Sequence, residues 1–224
     1  MRVLIGCPVV SRAWILPEWF DAIEAQGIEC SVLVVMSPSA DNTEEILKDR
    51  GAEILYDDRS SVRTETEALA HIWGKMDVYS YMAGLRNGLV AAAKEREADY
   101  FFSLDSDIIL PPGALENLLR FAVTHKGVIA PAVNMTLNSV AWNVMDWVDR
   151  RQPNMAERRS IPERKSGPQD VVMAAMLLDA YGMDCQWRAH QQGEDVGFCI
   201  DAHNRGIKCW WVPEVRCQHI MRRY

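Results

Sequence analysis

Three groups of residues in this 224-residue chain could do chemistry together. Asp105 and Asp107 close the run Tyr100-Phe101-Phe102-Ser103-Leu104, which has a helical pattern before it and Pro111-Pro112 after it. A short apolar, aromatic run of this kind reads as a strand buried on both faces, the kind found in parallel sheets flanked by helices. Residues two apart on an extended chain point the same way, so the strand would deliver both carboxylates at its carboxyl end, where open α/β sheets bind ligands. Two like charges held there ask for a cation, and Mg²⁺ or Mn²⁺ suits oxygen ligands and phosphates. A D-x-D alone is expected about once by chance in a chain this rich in aspartate, so its context decides. The second group is Glu194-Asp195 at a helix start, where acids can also serve merely to favour the helix dipole. The third is His219, near the C-terminus. Together they suggest metal-assisted transfer: the ion offsets a diphosphate leaving group while a carboxylate accepts a proton from an attacking hydroxyl.

The elements that must position these residues follow in order. Arg2 to Cys7 reads as a first strand, broken by Pro8, with a loop from Pro8 to Arg12. Pro17 suits a first helical turn, Leu16, Trp19, Phe20 and Ile23 share a face, and Gly27 ends the helix. Ser31 to Met36 is a second strand. Asp41 and Glu44 resemble a capping box, Gly51 a helix stop, and Glu53 to Tyr56 a third strand. Asp57 to Glu67 reads as an exposed polar loop near the ligand edge. Val78, Met82, Leu85, Leu89 and Ala92 line a long helix before the strand of Asp105. Pro112 opens a further helix, and Val128 to Pro131 is another strand. This alternation implies a mostly parallel, doubly wound sheet, an α/β fold. Asn134 to Asp170 is a long segment holding Trp142, Trp147 and a basic run (Arg150, Arg151, Arg158, Arg159, Arg164, Lys165), either a solvated surface or a lid or acceptor platform. Val171 to Asp179 is strand-like. A helix from Gly193 stops at Gly206, Ile207 to Val212 is the last strand, and a tail carries His219.

Composition narrows the function classes. A net charge of −7 and a pI near 5.3 argue against broad electrostatic binding of nucleic acid, although a local basic loop could still do it. Apolar runs are too short to span a bilayer, and Met1 leads almost directly into Val3-Leu4-Ile5, so no signal peptide is expected. Six cysteines without a C-x-x-C pair read as reduced, buried thiols in a cytoplasmic protein. The glycine fingerprint of dinucleotide-binding folds, the P-loop, H-E-x-x-H and G-x-S-x-G are all absent.

Several segments, in order, carry a resemblance to GT-A glycosyltransferases of the family-2-like branch, from about residue 3 to 219. Cys7-Pro8-Val9-Val10-Ser11-Arg12 resembles the opening nucleotide loop, and Val34 to Thr43, with Asp41-Asn42-Thr43, the segment after the second strand. Leu85-Arg86-Asn87-Gly88-Leu89 is similar to the helix before the D-x-D strand, and Asp99 to Asp107 to the D-x-D segment itself. Val172 to Leu178 resembles the strand before the acceptor site, and Gly193 to Cys199, with Glu194-Asp195, the E-D helix start. The resemblance implies one GT-A (Rossmann-like) domain over 1–224, with a mostly parallel central sheet flanked by helices. Its nucleotide-binding half would be 1–107 and its acceptor half 108–224, with a long loop at about 134–170. It implies transfer of a sugar from a nucleotide-diphosphate sugar, UDP-linked, to a hydroxyl acceptor, with Mn²⁺ or Mg²⁺ and an inverting mechanism.

Residue by residue, the resemblance implies that Asp105 contacts the ribose and the metal, that Asp107 ligates the metal, and that His219 completes the metal's protein ligands. Asp195 would be the catalytic base, with Glu194 beside it. Pro8, Val10, Arg12, Ser37, Arg86 and Ser106 would line the nucleotide, with Asp105. The aspartate that usually reads the base after the second strand aligns with Met36 or Ser37, and a hydroxyl reads uracil N3–H more weakly than a carboxylate. Three other readings differ in class. A sugar nucleotidyltransferase shares metal and sheet but wants a Gly- and Lys/Arg-rich first loop, which Gly6-Cys7-Pro8-Val9-Val10 is not. A carbohydrate- or nucleic-acid-binding module would use Trp142, Trp147 and the basic 150–165 stretch. A glycosyltransferase acting on modified DNA combines the two.

Overall fold

The computed structural model describes residues 1–57, 75–134, 141–157 and 166–220. One mixed sheet runs through its centre. On one side lie three parallel neighbours, β1 (Val3–Val9), β2 (Cys30–Met36) and β3 (Glu53–Tyr56), with β1 also parallel to β4 (Tyr100–Leu104). Beyond β4 come β11 (Ala175–Leu178), β6 (Val128–Val133) and β12 (Cys209–His219), with short β5 (Ile108–Ile109) at the edge, in the order β3-β2-β1-β4-β11-β6-β12-β5. β11 runs antiparallel to both β4 and β6, while β6 and β12 are parallel, so a mostly parallel sheet holds one reversed strand at its middle. A second, three-stranded antiparallel sheet joins β7 (Val144–Trp147), β8 (Ala156–Glu157) and β10 (Val171–Val172), and β9 (Gly167–Gln169) pairs with β12.

Helices cover both faces. Strand residues alternate between two apolar cores: Leu4, Leu33 and Phe101 face one side, and Ile5, Val34 and Phe102 the other. The first core receives α3 (Met76–Glu95) through Leu85 and Leu89 and α6 (Glu194–Asn204) through Val196 and Phe198. The second receives α1 (Leu16–Glu24) through Trp19 and Phe20 and α4 (Ala114–Thr124) through Leu115 and Leu118. Two short helices, α2 (Thr43–Asp49) and α5 (Ala180–Met183), complete the set. Gly6 is required where β1 meets β2, because a Cβ there would come within 2.4 Å of the Leu33 carbonyl.

Several expectations are corrected. Pro8 does not break β1, which pairs with β2 through Pro8↔Val35 and Val9↔Met36. β4 leaves β1 after Gly6, so β1 has an open side there and tolerates a proline. The single strand over 171–179 is two, β10 and β11, separated by a bend at Ala174 with φ of 68°. The last strand runs seven residues past Val212 to include His219, through a register shift between Val212 and Arg216. The stretch from 134 to 170 holds strands in its described parts, with Trp147 in the core and Trp142 half-buried against Trp211 and Arg216. Arg158, Arg159, Arg164 and Lys165 lie outside the described residues, as do 58–67 of the expected polar loop, but Asp57 at its head is buried. All six cysteines are free thiols, five of them buried. Among the described residues no helix is long and apolar enough to cross a membrane.

Candidate active site

The carboxyl edge of the sheet gathers the acids of two elements, the β4–β5 turn and the start of α6, with a histidine from β12 and an arginine from the loop after β1. β4 ends at Leu104, and a tight turn closed by Ile108 N–H donating to the Asp105 carbonyl (3.0 Å) carries the chain into β5. β5 pairs antiparallel with the end of β12, Gln218↔Ile109 and His219↔Ile108, and Ile220 N–H donates to the Asp107 carbonyl at 2.8 Å. That pairing brings a histidine 112 positions away in sequence to Asp107. Nε2 of His219 lies 3.8 Å from Asp107 Oδ2, and Arg12, from the loop after β1, lies 3.5 Å from the same oxygen. Burial tends to raise the Asp107 pKa, but His219 and Arg12 outweigh it and hold the carboxyl below its usual range. Burial opposes charge on His219 as well, yet Asp107, Asp105 and the Asn134 backbone hold the imidazole above its ordinary value.

Behind this pair a buried arginine organises the rest. Arg86 on α3, 4% exposed, donates to Asp105 Oδ1 (2.8 Å), Ser103 Oγ (3.0 Å) and Glu194 Oε1 (3.2 Å). One guanidinium thus ties the D-x-D strand to the start of α6, a fork geometry that lysine cannot reproduce. Burial and the neighbouring acids still keep Asp105 and Glu194 above the usual carboxylate range, with Arg86 pulling the other way. Asp195 is held from two sides: Ala174 N–H donates to Oδ2 (3.1 Å) and Trp187 Nε1–H to Oδ1 (2.9 Å). Cys7, beneath Asp105, has its thiol pushed far up by burial and by that carboxylate, so it is no ready nucleophile.

The remaining expected residues fall at the same edge with differing partners. Pro8 near the end of β1 and Val10 and Arg12 on the loop after it are partly exposed, and Ser106 is buried in the turn between the two aspartates. Ser11 and Ser39 lock the first loop to the segment after β2, with Ser11 N–H on Ser39 Oγ (2.9 Å) and Ala40 N–H on Ser11 Oγ (3.2 Å). Asp41 does not form a capping box with Glu44; it accepts from Thr43 and from Ala13 N–H, tying α2 to the same loop. Ser37 is buried, its hydroxyl 2.9 Å from Tyr81 Oη and 3.4 Å from Asp57 Oδ2, and Tyr81 also donates to Asp57. A carboxylate therefore stands beside Ser37 after all, supplied by the next strand. Sequence reasoning passed over Asp57, Tyr81 and Trp187; each is separated in sequence from the site it joins, and no local pattern marks it.

The residues fit a divalent ion in one respect. Asp107 and His219 converge at 3.8 Å, and an oxygen and an imidazole nitrogen at that spacing could serve a divalent cation as two protein ligands. Among the described residues no three such side chains close on one point, because Asp105 is turned to Arg86.

This is the GT-A fold, with one reversed strand in the middle of its sheet. Solved structures over which 99% of the chain superposes include TarS from S. aureus (TM-score 0.61, 14% identity, 37% of that chain covered). They also include the mannosyltransferase PcManGT from Pyrobaculum calidifontis in complex with GDP-Man and Mn²⁺ (TM-score 0.61, 14% identity, 57% covered). A third is glucosyl-3-phosphoglycerate synthase from Mycobacterium tuberculosis with Mn²⁺, uridine diphosphate and glucosyl-3-phosphoglycerate (TM-score 0.56, 15% identity, 72% covered). The chain spans little more than a third of the first of these and just over half of the second. No protein-family model and no curated protein sequence matches it.

Proposed function

We propose that the chain is a metal-dependent glycosyltransferase that moves a sugar from a nucleotide-diphosphate sugar, UDP-linked, to a hydroxyl acceptor with inversion. The observation that carries this reading is the meeting of Asp105, Asp107, His219, Arg86, Glu194 and Asp195 at the edge where sheets of this class take ligands. Residues 1–107 would take the donor and 108–224 the acceptor. Asp107 and His219 would hold Mn²⁺ or Mg²⁺, with Asp105 beside them. When bound, the ion would offset the charge that develops on the departing diphosphate.

The chain's own residues do the rest. Arg86 holds Asp105 turned toward α3, and Arg12 adds a positive charge beside Asp107. Ser37, Asp57 and Tyr81 offer the acceptors that a base N–H would meet. Asp195 takes the proton from the acceptor hydroxyl as the new bond forms, a role that typically contributes 10²–10⁴-fold. Glu194, neutralised in part by Arg86, lies beside it. A cytoplasmic setting suits the free thiols.

The test is a thermal-shift screen of uridine, guanosine, cytidine and adenosine diphosphates with and without Mn²⁺. A ligand that binds only the native state raises Tm. The reading expects stabilisation by uridine diphosphate that needs Mn²⁺, followed by release of that diphosphate from a UDP-sugar. Stabilisation by nucleoside triphosphates alone, with sugar phosphate as second substrate, would move the chain to the nucleotidyltransferases.

A further inference from the structure

We propose that Trp187, clamped by Asn87, is a positioning residue for Asp195: it fixes the plane in which that carboxylate meets the acceptor hydroxyl. The inference rests on the glycosyl-transfer reading and adds to it two residues outside its machinery.

The geometry is closed on every side. Asn87 on α3 makes a reciprocal pair with the backbone of Trp187, its Nδ2 donating to the Trp187 carbonyl and its Oδ1 accepting the Trp187 N–H, both at 2.9 Å. The indole is 2% exposed, packs on Phe198 of α6 with centroids 4.2 Å apart, and has the Arg86 guanidinium over it at 6.0 Å. Its N–H then has one destination, Asp195 Oδ1 at 2.9 Å. Close approach of this segment to α6 depends on Gly197, where a Cβ would come within 2.1 Å of the Arg188 carbonyl. Arg86 and Asn87, adjacent on one helix, therefore hold Glu194 directly and Asp195 through Trp187.

Burial alone does not account for this hydrogen bond. Trp19, Trp147 and Trp211 show that this fold does not require one, since each buries its indole N–H without a hydrogen-bond partner among the described residues. The other oxygen of Asp195 is held by the N–H of Ala174, whose left-handed backbone (φ of 68°) is strained for a non-glycine residue. The carbonyl of Ala174 accepts from Asp105 N–H at 3.2 Å, so the strained residue links both acidic segments. One donor on each oxygen leaves each a free lone pair in a fixed direction, which is what a base positioned for one incoming hydroxyl needs.

The test has two arms on the full chain. In the first, the indole N–H resonances of the eight tryptophans are recorded by NMR in the wild type and in Asp195→Asn, with Trp187 assigned from Trp187→Phe. The Trp187 proton should move upfield more than any other indole; no movement overturns the contact. In the second, donor hydrolysis is measured with a UDP-sugar and Mn²⁺. Trp187→Phe should lower kcat by about 10–100-fold while KM for the donor stays within about twofold. Asn87→Ala, which leaves the aromatic core intact, should lower kcat in the same sense. Unchanged kcat in both folded variants, or a fall matched by a rise in KM, overturns the inference and leaves the glycosyl-transfer reading standing. A wild type that hydrolyses no nucleotide sugar overturns that reading, and the positioning role with it.

Discussion

Replacing Arg86 with methionine keeps most of its volume and removes the charge that three partners share. Arg86 is buried, and the side chains of Asp105 and Glu194 are only 28% and 12% exposed, so neither acid can turn fully to water. Removing one partner of a buried ion pair costs about 3–5 kcal/mol. Partial exposure of Asp105 puts the expected loss near the lower end, about 3 kcal/mol, or on the order of 6–12 °C in Tm for a chain of this length. The sign of the pH dependence follows from the carboxylates. Burial already holds both above their unfolded pKa values, and losing Arg86 raises them further. A carboxyl raised on folding costs stability increasingly as pH climbs past its unfolded value of about 4. The deficit of Arg86→Met should therefore be larger near pH 7 than near pH 5. Urea denaturation at several pH values measures it, and Glu194→Gln in the same chain should restore part of the loss, since the two sites couple. A deficit below about 1 kcal/mol at pH 7, or one that does not change with pH, would refute the role of Arg86 as the strut of the site.

Other outcomes follow from the same geometry. Asp107→Asn should abolish the Mn²⁺-dependent part of nucleotide stabilisation, about 2.7 kcal/mol at a ligand concentration 100 times Kd, while the metal-free protein stays folded. Asp195→Asn should bind nucleotide like the wild type yet turn over about 10²–10⁴-fold more slowly; near-normal turnover would point to another base. Asp201 accepts from Gln186 N–H (3.0 Å), Arg205 (2.7 Å) and Arg188 (3.2 Å), and although burial works against its charge these partners hold its pKa below the usual range. Its contribution is present above the unfolded pKa and lost as pH falls through the folded one. Asp201→Asn should accordingly cost about 1–2 kcal/mol at neutral pH, kept small by the exposed guanidinium groups, and almost nothing at about pH 2; an equal cost at both pH values would rule out the ionic account.

Much of the fold was legible because burial on both faces leaves a plain mark. Tyr100 to Leu104 could only be an interior strand, and its end placed Asp105 and Asp107 at the ligand edge. Gly193 before Glu194-Asp195 marked the start of α6. What could not be read is direction and partnership. Ala175 to Leu178 is apolar throughout, and nothing in an apolar tetrapeptide says that it runs against its neighbours. The extension of β12 to His219 depends on pairing with a two-residue strand beyond Asp107. Arg86 could be found, but not that its donors turn inward to Asp105, Ser103 and Glu194, because burial of a cation depends on acids distant in sequence. The burial of Asp57 was hidden for the same reason: a polar stretch reads as exposed unless Ser37 and Tyr81 are known to meet it.

The most direct measurement of the central claim is anomalous scattering from crystals grown with Mn²⁺ and uridine diphosphate. One manganese peak is expected between Asp107 and His219, with nucleotide diphosphate against it and Asp105 beside it. Nucleotide bound at that edge with no manganese, or manganese held elsewhere, would contradict it.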